Sequence, residues 1–177
     1  MQNYNELKRK ADSGDTMAQL NLAQAYFNGD VSGSTELSNG MKYMAMAASS
    51  GNSTIQHMYA SMLSNLSMDN EAFIWYEKAA KNNNPESQAK LSLCYFTGTG
   101  TSKNDQLALK WAKNAMDNGE EKESGFILGV LYLQGKVVKT DAVQAYRMFK
   151  KSALLGNDDA FDAMVDLEKH FPQLKKL

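Results

Sequence analysis

The chain has 177 residues, 43% hydrophobic and 22% charged, a balance that supports a packed core and excludes a disordered polar segment. Its 19 Lys and Arg against 20 Asp and Glu leave no net field to gather nucleic acid or anionic lipid. One cysteine, Cys94, excludes an intramolecular disulfide framework, and no run approaches the roughly 18 apolar residues of a membrane helix.

The opening residues "MQNYNELKRK" carry no apolar leader core, so the sequence reads as a cytoplasmic protein. Residues 2 to 13 are predicted to be the back half of a helix pair, because Ala11 falls three before Gly14 just as Ala48 falls three before Gly51. From Ser13 one phrase then returns with variations: "SGDTMAQLNLAQAYFNG", "SGNSTIQHMYASMLSN", "NNNPESQAKLSLCYFTG", "NGEEKESGFILGVLYLQG" and "LGNDDAFDAMVDLEKH". The markers Gly14, Gly51, Asn83, Gly119 and Gly156 lie 37, 32, 36 and 37 residues apart, the period of helix-pair solenoids. This divides the chain into an N-terminal half-unit (1–13), four units (14–50, 51–82, 83–118, 119–155) and a C-terminal capping helix with tail (156–177).

Each unit repeats one internal logic. A small or left-handed-tolerant residue closes a helix, and Asp15, Asn52, Asn84, Glu120 or Asn157 stands at or near the next N-cap. Pro85 follows Asn84 directly, where a first-turn proline loses no helical hydrogen bond. The front helix that follows spaces its apolar residues by four (Leu22 and Tyr26, Tyr59 and Leu63, Leu91 and Tyr95, Leu128 and Tyr132) around a small residue, Ala23, Ala60, Ser92 or Gly129. A glycine-containing loop comes next in three units, at Gly29, Gly98 with Gly100, and Gly135; the second unit has the shorter "SNLSMDN". The back helix pairs small with large residues at a spacing of three: Gly40 and Tyr43, Ala72 and Trp75, Ala108 and Trp111, Ala145 and Met148. Tyr43, Trp75, Trp111 and Phe149 are accordingly predicted to be packing aromatics. Half-units at both ends are how solenoids cap themselves.

The run "CYFTGTGTSK" (94 to 103) resembles a phosphate cradle, yet its glycines follow a helix and Lys103 does not follow a glycine, as a P-loop would need. Gly98 occupies the slot of Gly29 and Gly135, so the run reads as a connector, and Cys94 as a small buried hydrophobe. His57 and His170 are the two histidines, over a hundred residues apart, and no H-E-x-x-H, C-x-x-C or G-x-S-x-G occurs. No metal or cofactor is expected.

The runs "AQLNLAQAYFNG" (Ala18 to Gly29) and "EAFIWYEKAAKNN" (Glu71 to Asn83) resemble the Sel1-like repeat family, relatives of tetratricopeptide repeats. "GFILGVLYLQG" keeps that family's L-G-x-x-Y-x-x-G at Leu128, Gly129, Tyr132 and Gly135, and the second unit departs most, with Leu63 in the tyrosine slot. The resemblance implies an all-α fold, a right-handed superhelix of about four helix-turn-helix repeats with half-repeat caps, whose front helices line a concave surface. It also implies a non-enzymatic adaptor that binds a protein or peptide there; an immunity-type inhibitor of a cognate toxin is the alternative, and a hydrolase built on the scaffold, with His57 as base, is a more distant one.

By analogy with tetratricopeptide arrays, the concave candidates are Leu20, Gln24 and Phe27; His57 and Ser61; Leu93 and Phe96; Phe126, Val130 and Leu133. Asn28, Asn65, Ala89, Thr97 and Gln134 share the same slots. Leu93, Phe96, Phe126, Val130 and Leu133 would form an apolar strip over the third and fourth units, and exposed apolar strips mark binding sites. The other reading of these residues, Phe27, Phe96 and Leu133 above all, is packing against the neighbouring unit. Asp159, Asp162 and Asp166 fall at i, i+3 and i+7 and give the groove an acidic end, suited to a partner with a basic segment. The end helices could also stack against another copy of the chain.

Overall fold

A computed structural model describes residues 2–31 and 36–177. Its described residues form ten α-helices and a terminal 3-10 turn, with no strand: α1 (Gln2–Asp12), α2 (Thr16–Asn28), α3 (Leu37–Ala48), α4 (Ser53–Asn65), α5 (Asp69–Lys81), α6 (Pro85–Thr97), α7 (Asp105–Asp117), α8 (Lys122–Gln134), α9 (Ala142–Leu154), α10 (Asp158–His170) and the turn Pro172–Lys176. Each helix packs on the next in sequence, the signature of a solenoid. The even-numbered helices form the front row and the odd-numbered ones the back.

Capping fixes the helix boundaries. Asp15, Asn52, Asn84 and Asn157 accept hydrogen bonds from the first-turn amides of α2, α4, α6 and α10, and Pro85 opens α6. Glu120 differs from expectation by one residue: α8 starts after Glu121, and the Glu120 carboxylate reaches forward to accept from the amides of Lys122, Glu123 and Ser124. The longer glutamate side chain performs from one residue back what aspartate or asparagine does at the cap. Ser67, in the second unit's glycine-free connector, and Asn83, at the marker that opens the third unit, take the left-handed conformation (φ 59° for both) that glycine supplies elsewhere.

Small residues let the two rows approach. Gly40, Ala72, Ala108 and Ala145 are all buried on the back helices, as are Ala47, Ala79, Ala115 and Ser152 further along. The expected i+3 residue is buried in the first unit, where Tyr43 stacks on Tyr26, whereas in the later units the i+4 residue takes the buried place: Tyr76, Ala112 and Phe149 are buried while Trp75, Trp111 and Met148 are half-buried. Trp75 lies edge-on to Tyr59 with ring centroids 5.2 Å apart, and the Lys78 amine sits 3.7 Å from its centroid. A helical turn of 3.6 residues makes i+3 and i+4 near-equivalent on a wheel, and the crossing of the rows favours i+4 in the second, third and fourth units while the first buries both.

A ladder of amides built on the buried Gln19, Gln56 and Gln88 then ties neighbouring units together and closes the ends of single units. Gln19 and Gln88 donate to the carbonyls of Ala11 and Ala80 at the ends of the preceding back helices. Asn82 donates to Gln56 at 3.0 Å, and Asn118 to Gln88 at 2.8 Å. Buried amides of this kind hold position because any slip leaves them unpaired.

Candidate functional site

The front row is not uniform. Within the described residues α6 packs closely on α8, and α8 touches α10, whereas α2 and α4, and α4 and α6, approach each other less closely. Two clefts open in those gaps. The larger, about 800 Å³, lies between α2 and α4, with Leu20, Gln24 and Phe27 on one side and His57, Ser61 and Asn65 on the other. Four methionines, Met17, Met44, Met58 and Met62, join them in the lining, together with Leu37 and Leu66. Met17, Leu37, Met58 and Leu66 expose 63%, 51%, 47% and 41% of their surface, so the rim of the cleft is itself apolar and open to solvent. A second cleft, about 290 Å³, lies between α4 and α6 and is lined in part by Ser61, Asn65, Lys90, Leu93 and Thr97.

Five of the candidate residues, Leu20, Gln24, Phe27, His57 and Ser61, thus meet in one cleft, and Leu93 joins Ser61 in the next. The strip anticipated over the third and fourth units shrinks. Leu93 and Leu133 are exposed, but Phe96, Phe126 and Val130 are half-buried against the cores beneath them, and Ala89 is buried. Phe126 lies 6.0 Å, centroid to centroid, from the buried Phe149. Phe27 is half-buried too: its ring lies over Gly40, where a Cβ would collide with it. Asp159, Asp162 and Asp166 are exposed on α10, away from both clefts, and Asp166 lies 3.8 Å from His170. No group of three or more His, Cys, Asp or Glu residues able to hold a metal occurs among the described residues.

The methionines and Lys90 are what reasoning from the repeat alone missed. A signal existed in composition: seven of the 11 methionines lie between residues 17 and 68. Unbranched thioethers adapt to varied apolar shapes, so a methionine-walled cleft suits binding better than tight internal packing.

His57 stands at the wall between the clefts. Its Nδ1 is 2.8 Å from the Ser87 hydroxyl and its Nε2 is 3.4 Å from the Ser61 hydroxyl, which accepts from Tyr76 at 3.2 Å. This chain of groups ties α4 to α5 and α6. Burial holds the His57 pKa below its ordinary value, with Glu86 opposing and Lys90 adding to the depression. In a hydrolytic Ser-His arrangement the far ring nitrogen meets a carboxylate; here it meets the fully buried Ser87. Cys94 is buried as expected, and burial pushes its thiol up to about 11. The run that follows it is a connector. Gly98 caps α6 in the left-handed conformation, and Gly100 rests on the Asp69 carbonyl so closely that a Cβ would clash.

The repeat phrase, the helix pairs and the amide ladder find their counterpart in a known sequence family. The Sel1 repeat profile matches residues 16–52, 69–84, 85–120 and 126–157. The chain belongs to the Sel1 repeat family. Sel1 repeat proteins are generally scaffolds for protein–protein contacts and are typically non-enzymatic. Among solved structures, a protective antigen of uropathogenic Escherichia coli displaying an SLR fold is 30% identical over 89% of this chain and 34% of its own, with a TM-score of 0.74. A Sel1 repeat protein from Oxalobacter formigenes is 26% identical over 85% of this chain and 61% of its own, with a TM-score of 0.71. The chain therefore spans less than two thirds of either relative. No helix among the described residues is long and apolar enough to cross a membrane.

Proposed function

We propose that this Sel1 repeat chain is a non-enzymatic adaptor that receives a segment of a partner protein on its concave, front-helix face, with the α2/α4 cleft as the main seat. The observation that carries the reading is the cleft itself: about 800 Å³, walled by methionine, leucine and phenylalanine, with large apolar residues exposed along its rim. Scattered apolar residues are ordinary on a surface, but a contiguous set around a depression is the pattern of a recognition site. A helical or extended segment inserting Leu, Met, Ile or Phe side chains would bury that rim, with a few anchors supplying most of the affinity. The exposed Asp159, Asp162 and Asp166 would meet a basic stretch of the same partner further along the row.

Quantitative mass spectrometry of material retained by wild-type, Met58→Asp and Lys113→Asp baits tests this. Met58 is on the cleft rim, and Lys113 is exposed on the back helix α7. Partners should be lost with Met58→Asp and kept with Lys113→Asp. Equal recovery by a folded Met58→Asp bait would refute the assignment.

Self-association through the chain's end is a second reading, favoured by Leu154, Leu155 and Phe161, which are 79%, 52% and 52% exposed at the junction of α9 and α10. Sedimentation velocity should show a concentration-dependent dimer that Leu154→Asp abolishes; a monomer at all concentrations would dismiss it.

A further inference from the structure

The partner's chemistry can be read one step further, resting on the groove reading above. The two clefts adjoin, because Ser61 and Asn65 line both. Among the described residues, the larger cleft has no Asp, Glu, Lys or Arg in its lining: these walls are apolar, amide, hydroxyl or the His57 ring. A charged side chain pushed into it would lose its hydration with nothing of opposite sign in return. Across α4 the character changes. Lys90 is the one charged residue among the described residues lining either cleft, and it shares the lining of the smaller one with Leu93, Ser64, Thr97 and Thr99.

Lys90 is half-buried and makes no ion pair within 4 Å among the described residues. Glu86 lies one turn earlier on α6, and Glu123 on α8 feels the Lys90 charge, which helps to hold that carboxyl low after its bond with Glu120. Among the described residues the lining of the smaller cleft holds no carboxylate beside Lys90. An ammonium in a cleft whose other polar groups are neutral favours a carboxylate over a second cation or an apolar side chain.

We infer that the segment bound on the front-helix face carries uncharged apolar anchors followed by a carboxylate, with the anchors in the α2/α4 cleft and the carboxylate at Lys90. The carboxylate is either an Asp or Glu side chain or a free C-terminus. Both present the same group to the amine, and peptide chemistry separates them. A phosphate in its place would call for a bidentate arginine cluster, and one lysine with hydroxyls is a weaker match to that charge.

The test is selection of a random linear peptide library on the full 177-residue chain. Fluorescence-anisotropy titration of the enriched synthetic peptides follows, against wild type, Met58→Asp, Lys90→Ala and Lys90→Glu. Enriched sequences should hold an uncharged run of Leu, Met, Ile or Phe with an Asp, Glu or free terminus at one end. Lys90→Ala should weaken them by about tenfold, the scale of one charge-assisted contact at a half-buried site. The same peptides with Asn, Gln or an amidated terminus should bind wild type as weakly as the acidic forms bind Lys90→Ala. Lys90→Glu should prefer the Asp/Glu→Lys peptide, a rescue that a merely unfolded variant could not give. Whichever change, side-chain amide or terminal amide, costs affinity names the source of the carboxylate.

Enrichment of peptides without an acidic group, or Lys90 variants that bind as wild type does while Met58→Asp abolishes binding, would overturn this inference and leave the groove reading standing. Peptides that bind Met58→Asp as well as wild type would overturn both.

Discussion

Gly129 offers a direct test of how the fourth unit is built. Its slot on the front helix holds Ala23, Ala60 and Ser92 in the other units, so a Cβ is tolerated there three times over. In the fourth unit a Cβ would stand 2.5, 2.6 and 2.8 Å from Cε1, Cδ1 and Cζ of Phe149. Phe149 is 1% exposed and lies 6.0 Å, centroid to centroid, from Phe126, so its ring has little room to retreat. Two effects oppose each other in Gly129→Ala. Alanine in a helix interior stabilises by about 1 kcal/mol over glycine. Overpacking a buried aromatic costs about 1–3 kcal/mol. The expected net is a loss of roughly 0–2 kcal/mol in wild type. In a Phe149→Leu background the clash is gone, and the same substitution should gain about 1 kcal/mol, a coupling well above the additivity error of about 0.5 kcal/mol. Equilibrium urea unfolding of the four proteins in the cycle measures this, with circular dichroism and the fluorescence of Trp75 and Trp111 required to give coincident transitions. A stabilising Gly129→Ala in wild type, or a coupling below about 0.5 kcal/mol, would refute the packing argument.

Further expectations follow from the buried titratable groups. With its thiol pushed up to about 11 by burial, Cys94 should alkylate at pH 8 about a hundredfold more slowly in the folded chain than in urea, where it regains ordinary reactivity. Comparable rates in both states, read by mass spectrometry, would contradict the assignment of Cys94 to the core. His57 is held below its ordinary value of 6.5 by burial, so between that value and its lower folded value the unfolded chain binds more protons. Its contribution is complete above pH 6.5 and is lost as pH falls below it. Stability should therefore decline from pH 7 toward pH 5, and His57→Gln should flatten that decline; an unchanged slope in the variant would assign the pH dependence elsewhere.

Much of this molecule was written in one dimension. Helix boundaries were legible because caps are local chemistry: an asparagine four residues before a buried glutamine, a proline at the first turn or a glycine after the last needs only its neighbours to act. The period and the buried small residues were legible because a solenoid repeats the same contacts, so each unit serves as a control for the others. Even the connector role of "CYFTGTGTSK" followed from the Gly98 slot, and the structure adds the close seat of Gly100 on Asp69. The candidate site was legible in half. Leu20, Gln24, Phe27, His57 and Ser61 were placed by slot, and they meet in one cleft.

What tertiary structure alone decided is where the front row opens. The repeat assigns equal slots to every unit and has no term for the spacing between neighbouring front helices. That spacing arises from the whole set of side chains wedged between two units. It sinks Phe96, Phe126 and Val130 into the packing where α6, α8 and α10 lie close, and it leaves Met17, Met58 and Lys90 at open clefts where α2, α4 and α6 stand apart. The same crossing chose Tyr76 over Trp75 for the core. Periodicity tells a residue which row it faces; only the assembled neighbours determine whether that face is covered.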